Sequence, residues 1–519
     1  MWQRLVLGLA VVMVVYRFAS LSQKSFTGDE LFTVIEGEQT YKHVLIDNYS
    51  PALMQTSNPP GDVFTFKTMQ LFLPPTEWGY RFISALAGSL ALLLAFLLLS
   101  EQLDFASACL GLAWMALSSY FLTSSYEARS YAVQLLLYAC IYWQLWRYMQ
   151  QPSAWRHRAL WLGFTLLSTF YHHYSWLLII STFSYVMLRH KSFGYVDAKA
   201  WFKDWFVNGL IVFLGALPNI VVLCLQYKTI HLDAATLDPE SGFHIFKNIV
   251  GQWVNYWGGY GVASLSPNII HELGQHWGAV AFVGLSFGAA LLLMILAWRQ
   301  SVVPALWVRF YMWVLLCSVI LARFVMHSTV DARHCIVLSI PFVWLMLAGL
   351  QGLRRQPILR AAVIVLWLLI NGYSTVLFMT SEVHPTFREN LRGLGCVLSN
   401  AAKAGDLILV EGEDNPVGLK GVTYYYHGPA PVIGVQLIWD RFYVKYPKDY
   451  FLKFNTIYVV TNHKSTEHPI KRARIDRFAT ELGYSESVPQ PIFREQDDLR
   501  LITMKRISNK PPNPGPSPQ

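Results

Sequence analysis

The chain has 519 residues, of which 54% are hydrophobic and only 14% charged. A soluble domain carries about 25% charge, so the deficit excludes an ordinary soluble enzyme for most of the length. The net charge of +9 does not indicate a nucleic-acid partner, because many Lys and Arg residues sit in short loops between apolar runs.

A membrane-spanning helix needs roughly 20 mostly apolar residues, within about 17–25. In chain order the segments 5–21, 81–99, 105–122, 128–148, 159–173, 174–188, 205–225, 276–298, 306–326, 334–351 and 359–378 meet that pattern, giving about 11 spans. The pair 159–173 and 174–188 is short and joined by Tyr171-His172-His173-Tyr174. Segment 5–16 also fits a signal-peptide core, whose removal would leave residue 29 on the same side. With the N-terminus in the cytoplasm, the inner segments hold Arg4, Arg147, Arg156, Arg158, Arg189, Lys191, Lys199, Lys203, Arg299, Arg309, Arg354, Arg355 and Arg360. The outer segments are longer and poorer in positive charge, as the positive-inside rule expects. An odd number of spans then puts the C-terminal part outside.

Two outer loops, 22–80 and 226–275, exceed the usual length of a structureless connection and read as functional. After 378 the pattern changes. Asp406–Val410, Thr456–Val460 and Arg500–Met504 read as short strands, and 387–403 and 470–483 as helices. Three regions follow: a membrane domain over 1–378, a small extracytoplasmic α/β domain over 379–508, and a Pro-rich disordered tail over 509–519. The cysteines at 109, 140, 224, 317, 335 and 396 contain no CxxC and read as packing residues.

Several residues could carry chemistry. Asp29 and Glu30 lie just beyond the first span, where one carboxylate could take a proton while the other orients a partner or a metal. They equally suit the start of a helix near residue 28, where negative charge meets the dipole. Glu127, Arg129 and Tyr131 occupy the junction of the third and fourth spans. Ionisable residues at membrane depth are rare and usually functional, though an interfacial Arg can snorkel. Glu127 and Tyr131, four apart, share a helix face, and Arg129 points elsewhere, where it could meet a phosphate. His172 and His173 could bind a metal or donate to a phosphate, or form an interfacial polar turn. Arg333 begins the tenth span with Asp331 and His334, and Lys67 adds positive charge in the first outer loop. His271-Glu272-Leu273-Gly274-Gln275-His276 is one residue too long for the zinc-protease HExxH motif.

Taken in order, these motifs resemble the GT-C membrane glycosyltransferases, family 39-like, a group that includes protein O-mannosyltransferases and the aminoarabinose transferase of lipid A. The resemblance covers roughly 1–378. It rests on Asp29-Glu30, on Asn58-Pro59-Pro60-Gly61, on Glu127-Ala128-Arg129-Ser130-Tyr131, on His173-Tyr174, and on Arg333 with Pro341. Many members carry Lys or His before the Pro-Pro pair and Leu after it, where this chain has Asn58 and Gly61. The resemblance implies a polyprenyl-phosphate sugar donor, a lipid, glycan or protein acceptor, and transfer on the extracytoplasmic face of a bacterial inner membrane. It implies that Asp29, seconded by Glu30, is the base, and that inversion follows from a single displacement. Arg129, Arg333, Lys67, Tyr131, His172 and His173 become candidates for the donor phosphate, with Glu127 and Asn58 beside them. Metal dependence differs within the superfamily, so a divalent metal stays open. Two other readings compete: a flippase or transporter of a lipid-linked sugar, and a non-catalytic scaffold of an envelope assembly complex. A flippase should place polar groups through the membrane depth, whereas here they gather on one side.

Overall fold

The structure, a computed structural model, describes residues 2–45, 60–151, 154–193, 195, 197–221, 224, 277–299, 309–314, 336–380, 390–411, 416–435, 448–462, 469–486, 490–491 and 499–507. The predicted sites Asn58, Arg333, Asp331 and His334, the second outer loop and most of the predicted ninth span lie outside these residues. By contacts the chain forms two compact units. One comprises Met1–Ser22 with Gly37–Thr380, the other Gln23–Glu36 with Ser381–Gln519.

The first unit is helical. In chain order its helices are α1 (Trp2–Ala19), then, after the shared α2 (Gly28–Glu38), α3 (Tyr41–Leu45), α4 (Gly61–Met69), α5 (Glu77–Gln102), α6 (Phe105–Leu117), α7 (Ser119–Tyr126), α8 (Tyr131–Gln150), α9 (Trp155–Thr169), α10 (Ser175–Leu188), α11 (Ala198–Gly215), α12 (Trp277–Trp298), α13 (Ser339–Gly352) and α14 (Pro357–Thr380). Among the described residues, three stretches are each long and apolar enough to cross a bilayer: Glu77–Gln102, Ile336–Arg355 and Pro357–Thr380. Leu5, Val11, Val12 and Val15 on α1, and Ile358, Val365, Leu368 and Leu369 on α14, face outward. Apolar side chains turned outward around a packed core mark a multi-pass membrane protein, whose outer surface meets lipid rather than water. That core includes Trp114 and Trp367, whose ring centroids lie 4.4 Å apart.

Where the sequence predicts one span at 105–122, the backbone instead breaks at Ser118 and bends by 55° between α6 and α7. A break of this kind orphans carbonyls at the end of the first helix. Thr375 of α14 donates its hydroxyl to the Leu117 carbonyl, and Ser374 shares a 2.5 Å hydrogen bond with Ser119. The bend is thus held by two adjacent hydroxyls of one neighbouring helix, which is a named cause rather than flexibility.

The second unit carries a sheet of β1 (Leu407–Glu411), β2 (Val432–Val435), β3 (Thr456–Asn462), β4 (Tyr484–Glu486), β5 (Gln490–Pro491) and β6 (Leu499–Arg506). Its order is β2-β1-β3-β6-β4, with β5 on β6. The first three are parallel and β6 runs antiparallel to β3. Leu407 to Val410 are buried on both faces, as parallel strands covered by helices require. The helices are α15 (Leu391–Ala401), α16 (Pro416–Tyr425), α17 (Lys448–Phe451) and α18 (Pro469–Leu482). Phe478, Ala479 and Leu482 of α18 pack with Leu407, Leu409, Ile457 and Ile502.

Candidate functional site

Contacts tie several helix ends of the first unit into one junction. Trp78 at the start of α5 donates its indole N–H to the Phe18 carbonyl at 3.0 Å. Arg81 donates to the Leu21 carbonyl at 2.8 Å, and Ser84 reaches the Arg129 carbonyl at 3.4 Å. The beginning of α5, the end of α1 and the bend between α7 and α8 therefore share one end of the bundle.

That bend holds Glu127, Arg129 and Tyr131. Glu127 is only 4% exposed and Tyr131 is buried, while Arg129 is half-buried. The Tyr131 ring faces His172 with centroids 6.2 Å apart, and His172 lies against Tyr174 at 5.1 Å. Nδ1 of the buried His172 accepts the Tyr174 backbone N–H at 3.2 Å, which puts the ring proton on Nε2. His173 sits beside it in the turn between α9 and α10, half-buried. The structure therefore brings Glu127, Arg129, Tyr131, His172 and His173 to the same end.

The start of α4 joins them. The Gly61 N–H donates to the Phe170 carbonyl at 2.8 Å. A Cβ at residue 61 would sit 2.3 Å from that oxygen, so only glycine allows the approach. Leu, the residue many GT-C members carry here, would not fit. Thr65 and Tyr171 share a 2.7 Å hydroxyl contact that repeats the docking one turn on. Lys67 points elsewhere. Its Nζ donates to the Gly37 carbonyl at 3.1 Å and lies 5.0 Å above the Tyr41 ring, so it braces the loop end.

Four residues at this end escaped the sequence reading, among them Glu77, buried in the first turn of α5. Asp62 is buried in the first turn of α4, where a carboxylate suits the dipole. Arg17 of α1 and Arg81 of α5 are 0% and 2% exposed, and both lie within electrostatic reach of the Tyr126 hydroxyl. Moving an ion out of water still costs several kcal/mol after relaxation. Charge inside the apolar runs 5–21 and 81–99 was the available signal.

Asp29 and Glu30 belong to the second unit, on α2. The Thr27 hydroxyl accepts the Glu30 N–H at 3.3 Å, and a Glu30 carboxylate oxygen accepts the Thr27 N–H at 2.9 Å. This is a reciprocal capping box, and it commits part of Glu30 to starting the helix. Asp29 is the second residue of α2. Arg392 at the start of α15 donates to the carbonyls of Gln23 and Lys24 at 3.3 and 3.2 Å. Its guanidinium also stacks over Tyr425 at 6.0 Å. The Tyr425 hydroxyl in turn accepts the Phe26 N–H at 2.7 Å. Leu31 is fully buried, and a Cβ at Gly421 would meet it at 2.8 Å. The segment carrying Asp29 is thus built into the C-terminal unit, although in sequence it lies between α1 and α4, far from that unit's other residues.

Among the described residues no group of three or more His, Cys, Asp or Glu is placed to hold a metal ion. The class these features define is a multi-pass membrane protein with a small α/β unit and buried ionisable groups gathered at one end of its helices.

No family profile and no curated protein sequence matches the chain. Solved structures do. ArnT from Cupriavidus metallidurans in the apo state is 13% identical, with a TM-score of 0.43 and 97% of each chain covered. The same protein bound to undecaprenyl phosphate gives 12% identity and a TM-score of 0.41, covering 98% of each chain. The archaeal oligosaccharyltransferase AglB from Archaeoglobus fulgidus, in complex with an inhibitory peptide and a dolichol-phosphate, is 12% identical. Its TM-score is 0.49, with 96% of this chain and 74% of that chain covered.

Proposed function

We propose that the protein is an inverting glycosyltransferase. It moves a sugar from a polyprenyl-phosphate donor to an acceptor hydroxyl at the extracytoplasmic face of a bacterial inner membrane. One observation carries this reading. Among the described residues, the buried Asp, Glu, Lys and Arg of the first unit are Arg17, Asp62, Glu77, Arg81 and Glu127, and all belong to the same end of the helices. A site for a charged headgroup on an apolar tail needs that distribution. A flippase needs charge or polarity along the passage.

In the reaction, the acceptor oxygen attacks the anomeric carbon while Asp29 takes its proton. The bond from that carbon to the phosphate oxygen breaks, and the electron pair leaves on the phosphate. Arg129 and Arg333 offset the growing charge, and the His172–His173 turn with Tyr131 lines the headgroup. Lys67 serves this chemistry only by holding its loop.

The test is sugar release from a panel of polyprenyl-phosphate sugars by purified protein in detergent, wild type beside Asp29→Asn. General-base help is typically worth ~10²–10⁴-fold, so the variant should lose at least ~10²-fold with unchanged thermal unfolding. Consumption of no donor by the wild type, with passage of a labelled lipid sugar across vesicles, would replace this reading with the flippase.

A further inference from the structure

The end of the helices opposite the buried charges has no part in the reaction, yet it carries an apolar groove with arginines beside it. Leu110 and Trp114 of α6, Leu347 and Leu350 of α13, and Val363 and Trp367 of α14 line the groove, and no ionisable side chain is among the lining residues. The segment that joins α13 to α14 and opens α14 carries Arg354, Arg355 and Arg360, with no Asp or Glu from 351 to 360. Arg360 and the groove residues Val363 and Ile364 are three and four apart on α14, so they share a face. A helical side chain leans toward the helix N-terminus, which carries the Arg360 guanidinium away from the bilayer centre. Asp104, the N-cap of α6, accepts hydrogen bonds from Arg354 and, at 2.9 Å, from Gln351. That carboxylate offsets one arginine of the three. Arg355 is exposed, and Nε of the half-buried Arg360 has no hydrogen-bond partner among the described residues. Arginines after α13 suit that helix's C-terminus, but Arg360 lies in the first turn of α14, where the dipole disfavours a cation. Local helix energetics therefore leave Arg360 unexplained.

We infer that the groove between α6, α13 and α14 binds an anionic phospholipid of the surrounding bilayer. An acyl chain lies along the groove, and Arg355 and Arg360 hold the headgroup phosphate. Charge complementarity selects the occupant: basic pockets between spans attract anionic headgroups, and a zwitterionic lipid with the same chains gains less there. The site is separate from the one proposed for the donor. The 26 residues of α5 run from the buried end at Glu77 to the groove's end at Gln102, about 39 Å at 1.5 Å per residue. The inference needs only a membrane-spanning chain and stands whether or not the protein is a transferase. It also has a structural consequence. The helices α6 and α14 that flank the groove meet again at the Ser118 bend, where Thr375 donates to the Leu117 carbonyl. A bound lipid fills the space between them and stabilises their pairing.

The experiment uses the full chain, delipidated in detergent, and measures binding of phosphatidylglycerol, phosphatidylcholine with the same chains, glycerol phosphate and polyprenyl phosphate. The variants are Arg355→Gln, Arg355→Gln with Arg360→Gln, Ile364→Trp and Asp104→Asn, each checked for unchanged unfolding without lipid. A surface arginine is worth roughly fivefold in binding an anionic lipid. Wild type should therefore prefer phosphatidylglycerol over phosphatidylcholine by about tenfold or more, and the double variant should lose that preference. Arg355→Gln alone, an exposed change with little hold on the fold, should lose roughly fivefold. Ile364→Trp, which fills the groove, should weaken both lipids, and Asp104→Asn should tighten phosphatidylglycerol. Equal binding of the two phospholipids by wild type, or a preference that survives the double variant, would overturn the site. Glycerol phosphate binding as tightly as phosphatidylglycerol would overturn the part assigned to the groove. Displacement of phosphatidylglycerol by polyprenyl phosphate, lost with the two arginines, would give the groove to the donor lipid and overturn the bilayer-lipid reading.

Discussion

The two ends of the helical unit treat charge in opposite ways. At one end Glu101 pairs with Arg147, Asp104 with Arg354 and Asp204 with Arg158, all partly open to solvent. Pairs of that kind settle each other at little net cost and contribute about 0–1 kcal/mol. At the other end Arg17, Asp62, Glu77, Arg81 and Glu127 are buried. Burying charge is expensive in any geometry. The difference the two ends show is burial: the first keeps its charges partly in water, and the second takes them out of it. The second is the arrangement expected where the charges serve a ligand.

The largest effect should follow from changing the close approach that organises the buried end. Gly61→Val puts side-chain atoms where the Phe170 carbonyl lies, 2.3 Å from a Cβ. Overpacking of this kind typically costs about 1–3 kcal/mol. We expect a lower unfolding temperature and loss of most donor consumption, because the turn carrying His172 and His173 must shift. Next comes the segment that carries Asp29. Arg392→Met removes two charge-assisted hydrogen bonds to the carbonyls of Gln23 and Lys24. Turnover should fall about tenfold with KM for the donor unchanged, a split that separates positioning from donor binding. Equal changes in both would show that Arg392 acts on binding.

Smaller still is the helix start. Thr27→Val removes the hydroxyl of the capping box and should cost about 0.5–2 kcal/mol, read as a shift in chemical or thermal unfolding. The smallest effect lies at the paired end. Burial alone would raise the Asp104 carboxyl, but the Ser107 N–H and hydroxyl, then Arg354 and Gln351, outweigh it and hold the group below the usual carboxylate range. A depressed folded value means that the ionised form stabilises the fold above the unfolded value. That stability is lost as pH falls through the folded one. Unfolding temperature against pH should therefore decline in acid, and Asp104→Asn should flatten the decline while leaving donor consumption at neutral pH unchanged.

Much of this was legible in the chain. The apolar runs at 81–99, 128–148 and 359–378 coincide with α5, α8 and α14, because a bilayer-length apolar run permits few alternatives. The carboxylates at 29 and 30 suit a helix start near residue 28, and the helix does begin at Gly28. The predicted strands at 406–410, 456–460 and 500–504 coincide with β1, β3 and β6. The strand Val432–Val435 was missed because four residues with a Gly offer too little pattern. The break at Ser118 was missed for a different reason: the hydroxyls that hold it come from residues 374 and 375, more than 250 positions away. The clamp of Arg392 on Gln23 and Lys24 is equally non-local, spanning 368 and 369 positions. Patterns within one helix report its own period and caps. They do not report which distant helix completes a bend or holds a loop.

One measurement tests the central contrast with the same chemical change at both ends. Donor consumption from a polyprenyl-phosphate sugar would be compared for Glu127→Gln and Glu101→Gln, beside thermal unfolding of each. The account predicts a fall of about tenfold or more for Glu127→Gln with its fold intact, the effect of losing one charge-assisted hydrogen bond beside the headgroup, and turnover within about twofold of wild type for Glu101→Gln. Full activity in Glu127→Gln, or equal losses in the two variants, would contradict the assignment of the chemistry to the buried end.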